Sequence, residues 1–149
     1  MTVGDPYDLE RFVRAQDAHG TYERALAELR AGRKSGHWMW FVFPQISGLG
    51  QSETSRRYAI ASLEEAAAYL GHRVLGPRLI ECSRALEASR ALSATEILGA
   101  IDAMKLHSCM TLFTRAAPQE PLFARVLARY FAGAPDRNTD RLLRALDDT

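Results

Sequence analysis

Two stretches of this sequence concentrate the side chains that could bind and turn over a small molecule. In GRKSGHWMWFVFPQISGLG, residues 32–50, Lys34, His37 and Gln45 surround Trp38, Trp40, Phe41 and Phe43, and both tryptophans of the chain are here. In GAIDAMKLHSCMTLFTR, residues 99–115, Asp102, Lys105, His107, Ser108 and Thr111 interrupt an otherwise apolar helical pattern. An indole beside a histidine, an amide and cations makes a wall for a flat ring such as a nucleobase. Asp102 and Lys105 stand three residues apart, so they meet on one face of a helix. Charges among apolar neighbours are costly unless paired. The pair is therefore either a structural ion pair at a helix start, or a carboxylate and an ammonium held in a cleft with perturbed pKa values.

The aromatic run has two uses. Side chains of this size bury about 150–250 Å² each, and a small domain needs such bulk in its core. Their spacing prevents all four from facing one way, whether the segment is strand or helix, and a tryptophan is rarely buried in full. The expectation is that Phe41 and Phe43 anchor the core while His37, Trp38, Trp40 and Gln45 form the wall. This wall should share a cleft with Asp102 and Lys105.

The neighbouring segments are less specific. AGRKSG fails as a Walker loop, because Glu28 and Arg33 stand where that motif requires glycine. Arg33 and Lys34 nevertheless bring two cations to the aromatic run, and they could meet a phosphate without that geometry. In SGLGQSETS, Ser52 or Ser55 can cap the following helix, and Gly48 and Gly50 leave backbone N–H groups free. That loop is either a plain turn or an anion site at a helix start.

Several chemistries are disfavoured. The four histidines are scattered without metal-ligand spacing, so no metal site is expected. No G-x-S-x-G occurs, and neither Cys82 nor Cys109 has a catalytic setting. No cofactor is implied. Nineteen basic residues against eighteen acidic ones leave a formal net charge of +1, which argues against general nucleic-acid binding. No apolar run approaches the roughly 20 residues that span a bilayer. With no signal-peptide pattern at the start and two cysteines on apolar segments, a cytoplasmic location and no membrane partner are expected.

The elements that must position these residues read at helical period. Asp5–Pro6 starts one helix with Leu9, Phe12, Val13 and Gln16 on a face, and Thr21 caps a second that ends at Gly32. Ser62 with Glu65 and Ser93 with Glu96 are capping boxes. Pro77 and Pro121 open helices, and Thr139 caps the last. Only WFVFPQI has strand character. The segment from Ile101 to Phe113 is apolar nearly all round, which implies burial. The chain is thus expected to be one all-α domain over 1–149, with about seven to nine short helices.

The order DPYDLERFVRAQ, then YERALAELRAGRKSGHWMWFVFPQISGLGQSETSRRYAI, then EILGAIDAMKLHSCMTLFTR resembles a bacterial family catalogued as domain of unknown function family 1810, whose members are sometimes mislabelled calpastatin. The resemblance spans nearly the whole chain. It implies a compact all-α cytoplasmic protein, and its polar signature positions fall on His37, Gln45, Ser52, Ser55, Asp102, Lys105, Ser108 and Thr111. A looser likeness, at the level of fold, is to small helical N-glycosidases acting on ADP-ribose-type nucleotides. Together these lead to an expected small enzyme cleaving an N-glycosidic bond in a nucleotide-like ligand. Trp38 or Trp40 would stack on the ligand, Lys34 and the glycine loop would hold phosphate, and Asp102 and Lys105 would serve catalysis. The alternative is a non-catalytic module binding a small ligand or a protein partner.

Overall fold

Side-chain capping sets where four of the helices begin, and the computed structural model, which describes residues 4–147, places the helices as follows. The helices are α1 (Glu10–Asp17), α2 (Thr21–Ala31), α3 (Met39–Val42), α4 (Glu53–Arg57), α5 (Leu63–Gly71), α6 (Leu75–Ala88), α7 (Ala94–Leu98), α8 (Ala100–Ala116), α9 (Leu122–Phe131) and α10 (Arg137–Asp147). A single 3₁₀ turn, Ala18–Gly20, joins α1 to α2. Seven of these helices have eight residues or more, and α3, α4 and α7 are one-turn pieces. The chain is all-α, as its periodicity implies.

Both capping boxes form. Ser62 and Ser93 accept hydrogen bonds from the N–H groups of Glu65 and Glu96, each at 3.1 Å. The two glutamates reach back to the N–H groups of Ala61 and Leu92, each at 3.0 Å. Elsewhere the starts move. Asp5 does not open α1 directly; its two carboxylate oxygens accept from Leu9 and Glu10, and the helix begins at Glu10. Helix α6 begins at Leu75, so Pro77 lies inside its first turn, where its missing N–H costs nothing. Thr21 is the first residue of α2 and not its cap, and Asp136 rather than Thr139 caps α10. WFVFPQI is not a strand. Its first three residues complete α3, and only Ile46 pairs, through one isolated bridge to Ile60.

Helix α8 forms the middle of the core. Leu106, Cys109, Met110, Leu112 and Phe113 are fully buried there, with α5, α7, α9 and α10 packed around them. Aromatic rings connect the layers: Phe12 to Tyr69 at 5.1 Å, Tyr69 to Phe113 at 5.6 Å, and Phe113 to Phe123 at 5.7 Å. Helices α5 and α6 approach so closely that a Cβ at Gly76 would lie 2.0 Å from the Leu70 carbonyl oxygen. The first turns of α8 depart from the expected burial. Ile101 and Met104 are 72% and 71% exposed, because the face of α8 that carries them is uncovered at this end, while Ala103 between them is buried. That end is the one facing the aromatic run. No described helix is long and apolar enough to cross a membrane.

Candidate functional site

The loop between α2 and α3 carries Lys34, and its shape depends on Glu28. One oxygen of Glu28 accepts hydrogen bonds from the N–H of Ser35 (2.8 Å), the N–H of Gly36 (2.9 Å) and the indole N–H of Trp38 (2.9 Å). Burial pushes this carboxyl up, but the hydrogen bonds from Gly36, Ser35 and Trp38 outweigh it and hold the group below its usual range. The backbone N–H of Lys34 donates to the Ile97 carbonyl at 2.8 Å, tying the loop to α7. Nothing in the local sequence pattern marks Glu28 for this task; its neighbours belong to an ordinary amphipathic helix.

So anchored, the loop directs Lys34 at α8. Its ammonium lies 2.8 Å from one oxygen of Asp102, while the ammonium of Lys105 lies 3.1 Å from the other. Lys34 also donates to the Gly36 carbonyl and sits 4.9 Å from the Trp38 ring centre. Lys105 stands over Trp40, 4.4 Å from its ring centre. Burial raises the Asp102 carboxyl, and the hydrogen bonds and charges of Lys34 and Lys105 more than reverse this, so its pKa falls below the ordinary value. Asp102 is therefore a carboxylate at any pH near neutrality. Two ammoniums against one carboxylate leave the group with a surplus positive charge.

These residues line a cleft of about 390 Å³ with His37, Met39, Trp40, Phe41, Ser52 and Thr54. Of the expected wall, His37 and Trp40 share this cleft with Asp102 and Lys105, whereas Trp38 and Gln45 do not line it. A second cleft of about 370 Å³ adjoins it, lined by Trp40, Gln45, Leu49, Gly50, Ile101, Met104, Lys105, His107, Ser108, Asp136 and Asn138. Trp40 and Lys105 belong to both. Each volume lies in the lower part of the range of about 300–1,000 Å³ typical of small-molecule sites. Larger surface concavities lie elsewhere, one of about 650 Å³ along α6, but none gathers a comparable set of charges and an indole.

The two tryptophans separate. Trp38 is 2% exposed and packs on Phe43 at 6.2 Å; it faces the core and lines neither cleft. Trp40, two residues on, lies on the other side of the one-turn helix α3 and forms the wall between the clefts. Phe43 anchors the core as expected, whereas Phe41 is half-buried against Tyr58 and reaches the first cleft. His37 is exposed at its rim.

The remaining polar positions divide between cleft and scaffold. Ser52 lines the first cleft and caps α4 by accepting from the N–H of Ser55 at 3.1 Å. Ser55 is buried behind it and donates to the Ser52 carbonyl at 2.8 Å. The loop passes so close that a Cβ at Gly50 would lie 2.5 Å from the Ser55 Cβ and 2.9 Å from the Trp40 ring. Ser108 reaches the second cleft but also hydrogen-bonds Asp136 at 3.0 Å. Thr111 is wholly buried, donating to the His107 carbonyl and accepting from the Asp136 N–H, each at 2.8 Å. It thereby docks α10 on α8 and lines neither cleft. Among the described residues no cluster of three or more metal-ligand side chains occurs.

The family model described as "Protein of unknown function (DUF1810)" matches residues 6–143. The chain is also similar to a conserved hypothetical protein, Rv1873, from Mycobacterium tuberculosis, whose crystal structure superposes with a TM-score of 0.90 at 53% identity. The match covers 94% of this chain and 99% of that one. No curated protein matches it. A match over so much of the length, with the same fold in a solved relative, fixes the affiliation: this chain belongs to the DUF1810 family of proteins of unknown function.

Proposed function

We propose that the protein binds a nucleotide-like small molecule, with the ring against Trp40 and an anionic group between Lys34 and Lys105. The observation that carries this reading is the Lys34–Asp102–Lys105 bridge beside an indole in one cleft. The two ammoniums exceed the charge of the carboxylate they share, so a phosphate can compete for either of them. The partly exposed Trp40 offers a flat surface at the same place.

Hydrolysis of an N-glycosidic bond is the reaction this arrangement suits. When that bond breaks, its electron pair leaves with the ring nitrogen and positive charge develops at the ribosyl carbon. The oxygen of a water then bonds to that carbon, and a water proton passes to the departing nitrogen. Asp102, held ionised, is the group that would stabilise the developing charge and orient the water, once a phosphate has drawn one lysine away. The second reading is binding without turnover. It is favoured by the fact that both Asp102 oxygens are already bonded to ammoniums.

A thermal-shift panel of AMP, NAD, ADP-ribose and ribose 5-phosphate tests the binding. A ligand at a hundred times its Kd adds about 2.7 kcal/mol of stability. No shift with any of the four refutes the nucleotide reading. Chromatographic detection of released base, lost in Asp102→Asn with binding retained, distinguishes the enzyme from the binder.

A further inference from the structure

Gln45 differs from the other buried polar groups around the second cleft. It is 3% exposed, lines that cleft, and its side-chain Nε2 has no hydrogen-bond partner among the described residues. Its backbone is held firmly, because the Gln45 carbonyl accepts from Ile60 at 2.8 Å. The chain shows elsewhere how it treats an amide that serves structure alone. Gln16, wholly buried, donates to the Phe41 carbonyl (2.8 Å) and the Tyr69 hydroxyl (3.1 Å) and accepts from Arg78 (3.2 Å). Leaving a buried donor unmade costs about 1–3 kcal/mol. The polar groups of the cleft wall are engaged elsewhere: Ser108 with Asp136, His107 with the Ala134 carbonyl, and Lys105 with Asp102.

The rest of the wall indicates what comes there. Leu49, Ile101, Met104 and the edge of Trp40 are apolar, and Ile101 and Met104 are the large exposed hydrophobic residues of α8. The opposite wall is polar, with Lys105, His107, Ser108, Asp136 and Asn138, and a slot with one apolar wall and one unsatisfied amide is a receptor for a flat heterocycle whose edge can hydrogen-bond. Trp40 and Lys105 belong to both clefts, so a ring in the second is continuous with an anion in the first.

We propose that the second cleft takes the base of the nucleotide and that Gln45 selects adenine. This rests on the nucleotide reading above and adds the orientation and the base to it. A carboxamide presents a donor and an acceptor side by side. Adenine presents the complement, the N7 acceptor beside the N6 amino donor, and the two pair in bidentate fashion. Hypoxanthine and guanine present two acceptors on that edge, so one of the two bonds is lost and two oxygens face each other.

Calorimetric titration with AMP, IMP and ribose 5-phosphate tests the proposal. The wild-type protein should bind AMP at least about tenfold more tightly than IMP, the scale of a bidentate contact. AMP carrying two methyl groups on N6, which lacks the donor, should bind like IMP. Gln45→Leu, checked for an intact melting transition, should bind AMP as weakly as IMP while keeping its affinity for ribose 5-phosphate. Equal binding of AMP and IMP by the wild type overturns the adenine assignment and leaves the nucleotide reading standing. An AMP preference that survives in Gln45→Leu overturns the role of Gln45. Failure of all three ligands to bind overturns the adenine assignment, and the nucleotide reading falls with it when NAD and ADP-ribose also give no thermal shift.

Discussion

Replacing Glu28 by alanine should destabilise the protein by about 3 kcal/mol, far more than a half-exposed glutamate in an amphipathic helix would suggest. The cost can be built from its three donors. Ser35 is exposed, so water takes over its N–H. The indole N–H belongs to a side chain that is 2% exposed, and stranding it costs about 1–3 kcal/mol. The charge-assisted bond from the Gly36 N–H contributes about 1.5 kcal/mol more. Glu28→Gln keeps an oxygen in the same place but removes the charge, for a loss of about 1 kcal/mol. Urea denaturation followed by tryptophan fluorescence measures both variants. In a chain of this size, 3 kcal/mol corresponds to about 6–12 °C in melting temperature. The loop also carries Lys34, so Glu28→Ala should weaken ligand binding without touching the cleft. A loss below about 0.5 kcal/mol, or equal losses in the two variants, would refute the view that Glu28 organises the loop.

Two further outcomes separate the roles of the site residues. Acrylamide should quench the emission of Trp38→Phe, in which Trp40 remains, and should barely touch Trp40→Phe, because Trp38 is buried; similar quenching of the two variants would contradict the division of the tryptophans. The Asp102 carboxyl titrates lower in the folded protein than its unfolded value of about 3.9, so its contribution to stability is present above that pH and is lost as pH falls through the folded value. The difference in melting temperature between wild type and Asp102→Asn should hold constant from about pH 5 to 8 and shrink below about pH 4. A difference that instead grows on acidification would show that Asp102 is not held ionised by its lysines.

The sequence by itself determined the helical class, the two capping boxes and the meeting of Asp102 with Lys105. Each of these is local: a serine reaches an N–H three residues on, and residues three apart share a helix face whatever surrounds them. It also marked the aromatic run as a place where core and site compete, and raised the expectation that His37, Trp38, Trp40 and Gln45 would share a cleft with the pair on α8. What it could not divide was Trp38 from Trp40, or the exposed start of α8 from its buried middle. Both depend on which side of an element the rest of the chain covers. Trp38 turns inward because Glu28, ten residues earlier, receives its N–H. Ile101 and Met104 stay outside because no element covers their face of α8, while Ala103 on the opposite face is buried. The unpartnered amide of Gln45 belongs to the same class, since hydrogen-bond satisfaction is a property of neighbours brought together from α3, α8 and the loop before α10. Tertiary packing alone decided that Lys34, sixty-eight residues from Asp102, would complete the bridge on which the proposed site depends.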